Sequence, residues 1–177
     1  MVARGFEQID GEHYDSQTKG SPVVSQMTVM IILTLITMGQ YVAHLKDVNG
    51  AFLLPSLKES ERIYMEIPKG FEKWYDPETE LWLLLKTLYG LIQAAFAFWA
   101  ILVQAFYVMK YKRSVADPCL FYKWKDHQLY MWVSWVDDLL AGGPSNNKLK
   151  PELEAMDEQF DCQDSGELQE YVGCKIE

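Results

Sequence analysis

The chain has 177 residues, of which 49% are hydrophobic and 14% aromatic, enough to bury a core and far too many for a disordered segment. Twenty-five acidic against sixteen basic side chains leave a net charge of −9, which excludes nucleic-acid binding by bulk charge alone. Between Pro144 and Glu177 lie nine acidic and three basic residues, so most of that negative charge sits in the C-terminal stretch. Cys119, Cys162 and Cys174 show no CxxC spacing and His13, His44 and His127 are scattered. Neither a disulfide framework nor a zinc site is expected, and a reducing compartment is. Met1 to Glu7 lacks an apolar stretch, so no secretory signal is expected.

Two long runs carry no formal charge, one between Lys19 and Lys46 and one between Lys86 and Lys110. The dense part of the first, Met27 to Met38, would span only about 18 Å as a helix against about 30 Å of hydrocarbon; it reads as a buried core helix. Tyr41 to Val48 alternates apolar and polar residues, a strand that delivers Asp47 at its end. Asn49 to Leu57 must turn. Arg62 to Ile67 and Leu81 to Leu85 are short strands, with Pro68-Lys69-Gly70 closing the first. In the second uncharged run Tyr89-Gly90 reads as a turn, and Gln93 to Met109 as a helix buried at the centre of a globular domain rather than in a bilayer.

Cys119 to Trp124 and Leu129 to Trp135 are strands around a Lys125–Gln128 turn, and Leu139 to Ala141 continues after Asp137-Asp138. Ser145, Asn146 or Asn147 can cap a helix with Pro151 in its first turn. Its apolar stripe is Leu149, Leu153, Met156 and Phe160, which leaves its acidic residues on a solvated face. Leu168 to Ile176 is strand-like. No repeat and no linker interrupts this order, which reads as one α+β domain over residues 1–177.

The chemistry concentrates in Trp135-Val136-Asp137-Asp138-Leu139, two adjacent carboxylates between apolar strands. A tight hairpin would put both at its tip. Like charges side by side need water or a cation, and hard divalent cations take oxygen ligands. Asp47, at another strand end, could supply a third carboxylate, sufficient for two ions about 3.5–4 Å apart in an in-line phosphoryl transfer. Taken by itself, Asp-Asp is also a common turn dipeptide.

A run of motifs goes further. Val2-Ala3-Arg4-Gly5-Phe6 with Gln8, Tyr14-Asp15, Ser21-Pro22-Val23-Val24, Asp47-Val48 with Ala51-Phe52-Leu53, and Ile63-Tyr64-Met65-Glu66 appear in this order. Leu88-Tyr89-Gly90-Leu91 with Gln93-Ala94, Asp117-Pro118-Cys119-Leu120, Val136-Asp137-Asp138-Leu139-Leu140 and Gly166-Glu167-Leu168 with Gly173 follow. The chain thereby resembles the reverse transcriptase domain of copia-type LTR retrotransposons along nearly its whole length. That resemblance implies a reverse-transcriptase fingers–palm fold, an antiparallel palm sheet packed on helices, with the thumb absent.

It also implies templated transfer of deoxynucleotides with Mg²⁺, for which Mn²⁺ can substitute. Asp47, Asp137 and Asp138 would be catalytic and, with the Val48 carbonyl, would hold the metal. Phe52 would crowd the sugar 2′ position, Gln93 and Arg4 would contact the incoming nucleotide, and Trp135 and Gly173 would touch the primer. The implied partners are an RNA or DNA template with its primer, deoxynucleoside triphosphates, and the thumb, ribonuclease H and integrase portions of a retrotransposon polyprotein. The expected location is cytoplasmic, in a virus-like particle, or nuclear, and not secreted; no membrane partner is expected.

The chain departs from the family pattern at Ile92, Ala95 and Phe96, where Lys, Pro and Arg are usual, and at Trp135, where Tyr is usual. These departures leave open a second reading, a catalytically silent palm relic that acts as a binding or structural fragment. A third is membrane association through the run from Leu88 to Met109.

Overall fold

The computed structural model describes residues 2–58, 61–168, 170–171 and 174–175. In chain order they form helix α1 (Gln26–Met38), strands β1 (Val42–Val48), β2 (Tyr64–Glu66) and β3 (Leu81–Leu83), and helix α2 (Ala94–Val108). Then come β4 (Lys112–Arg113), β5 (Leu120–Lys125), β6 (Gln128–Trp135), β7 (Asp138–Gly143), helix α3 (Asn146–Asp157), β8 (Cys162–Glu167), β9 (Glu170–Tyr171) and β10 (Cys174–Lys175). The class is α+β, as the order of elements implied. The chain divides into two compact units, Met1–Ser21 with Phe52–Phe98, and Pro22–Ala51 with Trp99–Glu177.

In the second unit, six strands form one antiparallel sheet in the order β4-β5-β6-β7-β1-β8. The β5–β6 hairpin turns through Asp126 and His127 at φ 51° and 58°, the paired left-handed residues of a two-residue turn whose twist matches the strands. On one sheet face α1 packs Val29, Ile32 and Ile36 against Ala43, Met131, Val133 and Leu140. Those helix residues recur at a helical spacing, which accounts for the burial of one side only. The opposite side exposes Met27, Met30, Ile31, Leu35 and Met38, so α1 is not the buried core helix its hydropathy suggested. Uniform apolarity fixed the helix length but not which side is covered.

The start of α1 is fixed by Ser25, whose hydroxyl accepts from the Thr28 N–H at 3.1 Å, an ordinary N-cap. Asp117 reinforces it by accepting from the Ser25 N–H (2.9 Å), the Thr28 hydroxyl (2.6 Å) and the Cys119 N–H (2.9 Å). Burial pushes the Asp117 carboxyl up, but these hydrogen bonds outweigh it and hold the group below its usual range.

Phe106 stacks on Phe121 with centroids 4.0 Å apart and tilts against Trp132 at 5.8 Å. In α3, Leu149, Leu153 and Met156 are buried as the stripe predicted. Pro151 falls in the second turn, because the helix begins at Asn146. Its acidic residues are not all solvated: Glu152 is 4% exposed. It pairs with Lys123 and accepts from the Tyr111 hydroxyl at 3.1 Å, while the Lys123 ammonium lies 4.5 Å from the Tyr111 ring centroid. Burial, with Glu152 beside it, pushes the Tyr111 phenol far above its ordinary value, so it remains a donor.

At the C-terminal end, β8 forms where no alternation announced a strand, because its backbone completes the free edge of β1. Within the expected strand from Leu168 to Ile176, Glu170–Tyr171 and Cys174–Lys175 pair as β9 and β10, and residues 169, 172, 173 and 176 lie outside the described residues.

In the first unit, β2 pairs antiparallel with β3. Ile63, Leu91 and Ala94 form a small core with Ala3, Phe52, Leu57, Leu84 and Leu88. The N-terminal segment lies against the Tyr89-Gly90 turn, with the Ala3 N–H donating to the Tyr89 carbonyl at 2.6 Å. Gly90 has φ 95°, and a Cβ there would sit 2.1 Å from the Ala3 carbonyl oxygen, so only glycine fits. Among the described residues, no helix is long and apolar enough to cross a membrane.

Removing the buried carboxylate should strand the Lys123 ammonium. Glu152→Ala is expected to lower unfolding free energy by about 3 kcal/mol, measured by urea denaturation. A loss below about 0.5 kcal/mol, the scale of an exposed substitution, would contradict the burial described.

Candidate functional site

Strand β1 carries Asp47 to its last turn of backbone, where the Cα of Asp47 is paired directly with that of Asp138 on β7. Residues directly opposite in an antiparallel pair project from the same sheet face, so the two carboxylates share a side. It is the α1 side: Leu45, two residues before Asp47, and Leu140, two residues after Asp138, both pack with the α1 cluster. The neighbouring backbone is tied as well, with the Val48 N–H donating to the Asp137 carbonyl at 3.1 Å.

Asp137 comes to this place through a hairpin. Trp135 pairs with Asp138, leaving Val136 and Asp137 as a two-residue turn between β6 and β7. Val136 has φ 57°, a conformation that a β-branched side chain adopts only under strain. Strain of this kind, held by the flanking strands, concentrates where side-chain placement matters. Trp135 lies against the α1 cluster on the same face as Asp138.

Electrostatics follow from this crowding. Burial raises the Asp47 carboxyl above its ordinary value, and Asp137 adds to it. Asp138 is likewise raised by burial, then by Asp137 and Asp47. Asp47 and Asp138, distant in sequence, are therefore each raised by neighbouring carboxylates as well as by burial. Oxygen donors in mutual repulsion suit a hard divalent cation, which would relieve that repulsion. Among the described residues, however, no three His, Cys, Asp or Glu side chains stand close enough together to hold a metal ion. A bound ion would have to draw the carboxylates inward.

On the opposite sheet face, Lys46 is buried and its Nζ bonds both carboxylate oxygens of Asp157, at 2.7 and 2.9 Å. The sequence reading passed over this residue. Its signal was a long cation in a strand otherwise apolar at its inward positions. Cys162, the Cα partner of Val48, is pushed up to about 11 by burial and then by Asp157, so its thiol stays protonated at neutral pH.

The remaining predicted residues belong to the first unit, apart from Gly173, which lies outside the described residues. Phe52 sits in a short 3₁₀ turn, Ala51–Leu53, with its ring edge-on to Tyr89 at 5.3 Å and Phe98 at 6.5 Å. Gln93 is 2% exposed and precedes α2 rather than lying within it. Its amide donates to the His13 carbonyl at 3.1 Å and accepts from Gln8 at 3.0 Å, while Gln8 in turn accepts from the Ile92 N–H. The buried Gln is thus satisfied within the protein. Arg4 is exposed, and its guanidinium meets Glu7 at 3.3 Å. Arg4, Gln8 and His13 line an open groove with Ile63, Lys69 and Leu91.

Residues 1–177 match the family described as reverse transcriptase (RNA-dependent DNA polymerase), and the chain belongs to that family. It is 33% identical over 180 residues to the retrovirus-related Pol polyprotein from transposon TNT 1-94 of Nicotiana tabacum, covering 99% of this chain and 13% of that one. The corresponding polyproteins of transposons RE1 and RE2 of Arabidopsis thaliana are 30% and 28% identical, each over 98% of this chain and 12% of their own length. The copia-type resemblance is borne out. The chain corresponds to the reverse transcriptase portion of such polyproteins and spans about an eighth of their length.

The raised carboxyls give a signed expectation. Folded Asp47 and Asp138 hold protons to higher pH than they do unfolded, so stability falls as pH rises through the window just above the ordinary carboxylate value. Asp138→Asn should therefore raise the melting temperature at pH 7 without divalent cation. The gain should vanish below about pH 4, as read by thermal melts across that range.

Proposed function

We propose that this chain is the catalytic portion of a copia-type reverse transcriptase, adding deoxynucleotides to a primer along an RNA or DNA template. The single observation that supports the reading is the pairing of Asp47 with Asp138 across β1 and β7, with Asp137 in the adjoining turn. Asp47 and Asp137, with Asp138 and the Val48 carbonyl beside them, would hold Mg²⁺, or Mn²⁺ in its place. When bound, two such cations supply charge stabilisation at the attacking 3′-oxygen and the leaving pyrophosphate.

The other residues divide the remaining work. Phe52 would exclude a 2′-hydroxyl by size, its ring held edge-on by Tyr89 and Phe98. Gln93, bonded to His13 and Gln8, would meet the nucleotide by exchanging one of those bonds. Arg4 would meet phosphate, since its exposed pairing with Glu7 is worth little and easily exchanged. Trp135 and Gly173 would steady the primer end. The proposed setting is a cytoplasmic particle containing the thumb, ribonuclease H and integrase portions of the polyprotein.

A silent palm relic is the second reading. What favours it is the uncharged trio Ile92, Ala95 and Phe96, which leaves no cation where the family places Lys and Arg. Primer extension with Mg²⁺ separates the two. Wild-type extension should exceed that of Asp137→Asn by about three orders of magnitude, the scale of losing transition-state charge stabilisation. Equal signals would favour the relic.

Phe52→Ala should lower the preference for deoxy- over ribonucleotides by about a hundredfold, measured as the ratio of kcat/KM values for the paired triphosphates. An unchanged ratio would leave Phe52 as core packing alone.

A further inference from the structure

We infer that Lys46 is a positioning residue for the carboxylate site: its buried ammonium, paired with the partly exposed carboxylate of Asp157, locks the register of β1 and so fixes the face on which Asp47 emerges. The inference rests on the polymerase reading for its functional consequence, though not for its structural one.

Side chains alternate along a strand, so Lys46 and Asp47 must project from opposite faces. The Lys46 side chain is 2% exposed and its Nζ bonds both oxygens of Asp157. Sliding β1 by one residue would exchange the two faces. Asp47 would then turn toward α3 and Asp157, while the Lys46 ammonium would enter the apolar cluster beneath α1. An ammonium buried without its carboxylate is strongly disfavoured, so the pair acts against the slipped register as well as for the native one.

Two further features bear on this lock. The ladder between β1 and β8 shifts register between Leu45 and Lys46, so backbone pairing on that side does not hold the last three residues of β1 in step with the residues before them. Asp157 is also the final residue of α3, where the negative end of the helix dipole disfavours an acid. Its placement there makes physical sense once Lys46 reaches it. The pair thus joins the end of α3 to the strand position immediately before Asp47.

The test compares the full wild-type chain with Lys46→Met and with Lys46→Met/Asp157→Leu. In the double variant an apolar contact replaces the ion pair, and such replacements commonly recover stability. Three quantities are read: melting temperature, hydrogen exchange of the Val48 amide, and primer-extension kcat and KM with Mg²⁺. In Lys46→Met, Val48 exchange should rise about tenfold. The value of kcat should fall about a hundredfold, the scale of a misplaced reacting group, with KM for the nucleotide within about twofold.

The double variant should regain the melting temperature but not kcat. Unchanged Val48 protection in Lys46→Met would overturn the inference, as would a double variant that recovers kcat together with stability. A wild-type chain that extends no primer would instead defeat the polymerase reading. Faster Val48 exchange in Lys46→Met would then still support the register lock.

Discussion

Two carboxylates held directly opposite on adjacent antiparallel strands repel each other, and a fold chosen for stability alone would put apolar or opposite charges there. In this chain the pairing of Asp47 with Asp138 is fixed by the register of β1 against β7 and by the Val48 N–H bonded to the Asp137 carbonyl. Nearly everything else in the second unit serves that register. The α1 cluster buries one face of β1, β6 and β7, and the ion pair of Lys46 with Asp157 holds the other. The repulsion persists because surrounding packing outweighs it; burial raises both carboxyls first, and after it Asp137 adds to Asp47, and Asp137 and Asp47 add to Asp138.

Much of this was legible in the sequence. The alternation in Val42–Val48 and the apolar runs on either side of Asp137-Asp138 require strands ending near carboxylates, and the structure forms those strands. Of the α3 stripe, Leu149, Leu153 and Met156 are buried as read, while Phe160 falls beyond the end of the helix. What was not legible depends on partners distant along the chain. Glu152 is buried because Lys123 and Tyr111 meet it there, and periodicity along α3 carries no information about either. Strand β8 exists because β1 offered a free edge, and its own residues show no pattern. The outer face of α1 has the same composition as the inner one, so hydropathy could not tell them apart.

The candidate site was only partly visible for the same reason. Asp47 and the aspartate doublet were recognisable from type and placement, yet Lys46 was not, because its role depends on Asp157 more than a hundred residues later. Gln93 illustrates the converse. The resemblance implied a nucleotide contact for it, whereas in the structure Gln8 and His13 bond it. The Asp117-Pro118-Cys119 motif likewise anchors the first turn of α1, a local structural task within a family motif.

Membership in the reverse transcriptase family gives these arrangements a context, and the mutual influence of the carboxylates is the physical claim on which the functional reading stands. The most direct measurement is a ¹³C NMR titration of the Asp138 side-chain carboxyl, in the wild type and in Asp47→Asn, without divalent cation. The Asp138 midpoint should lie above the ordinary carboxylate value in the wild type and move down when Asp47 loses its charge. A midpoint in the ordinary range, unmoved by the substitution, would mean that the two strands do not bring these groups together.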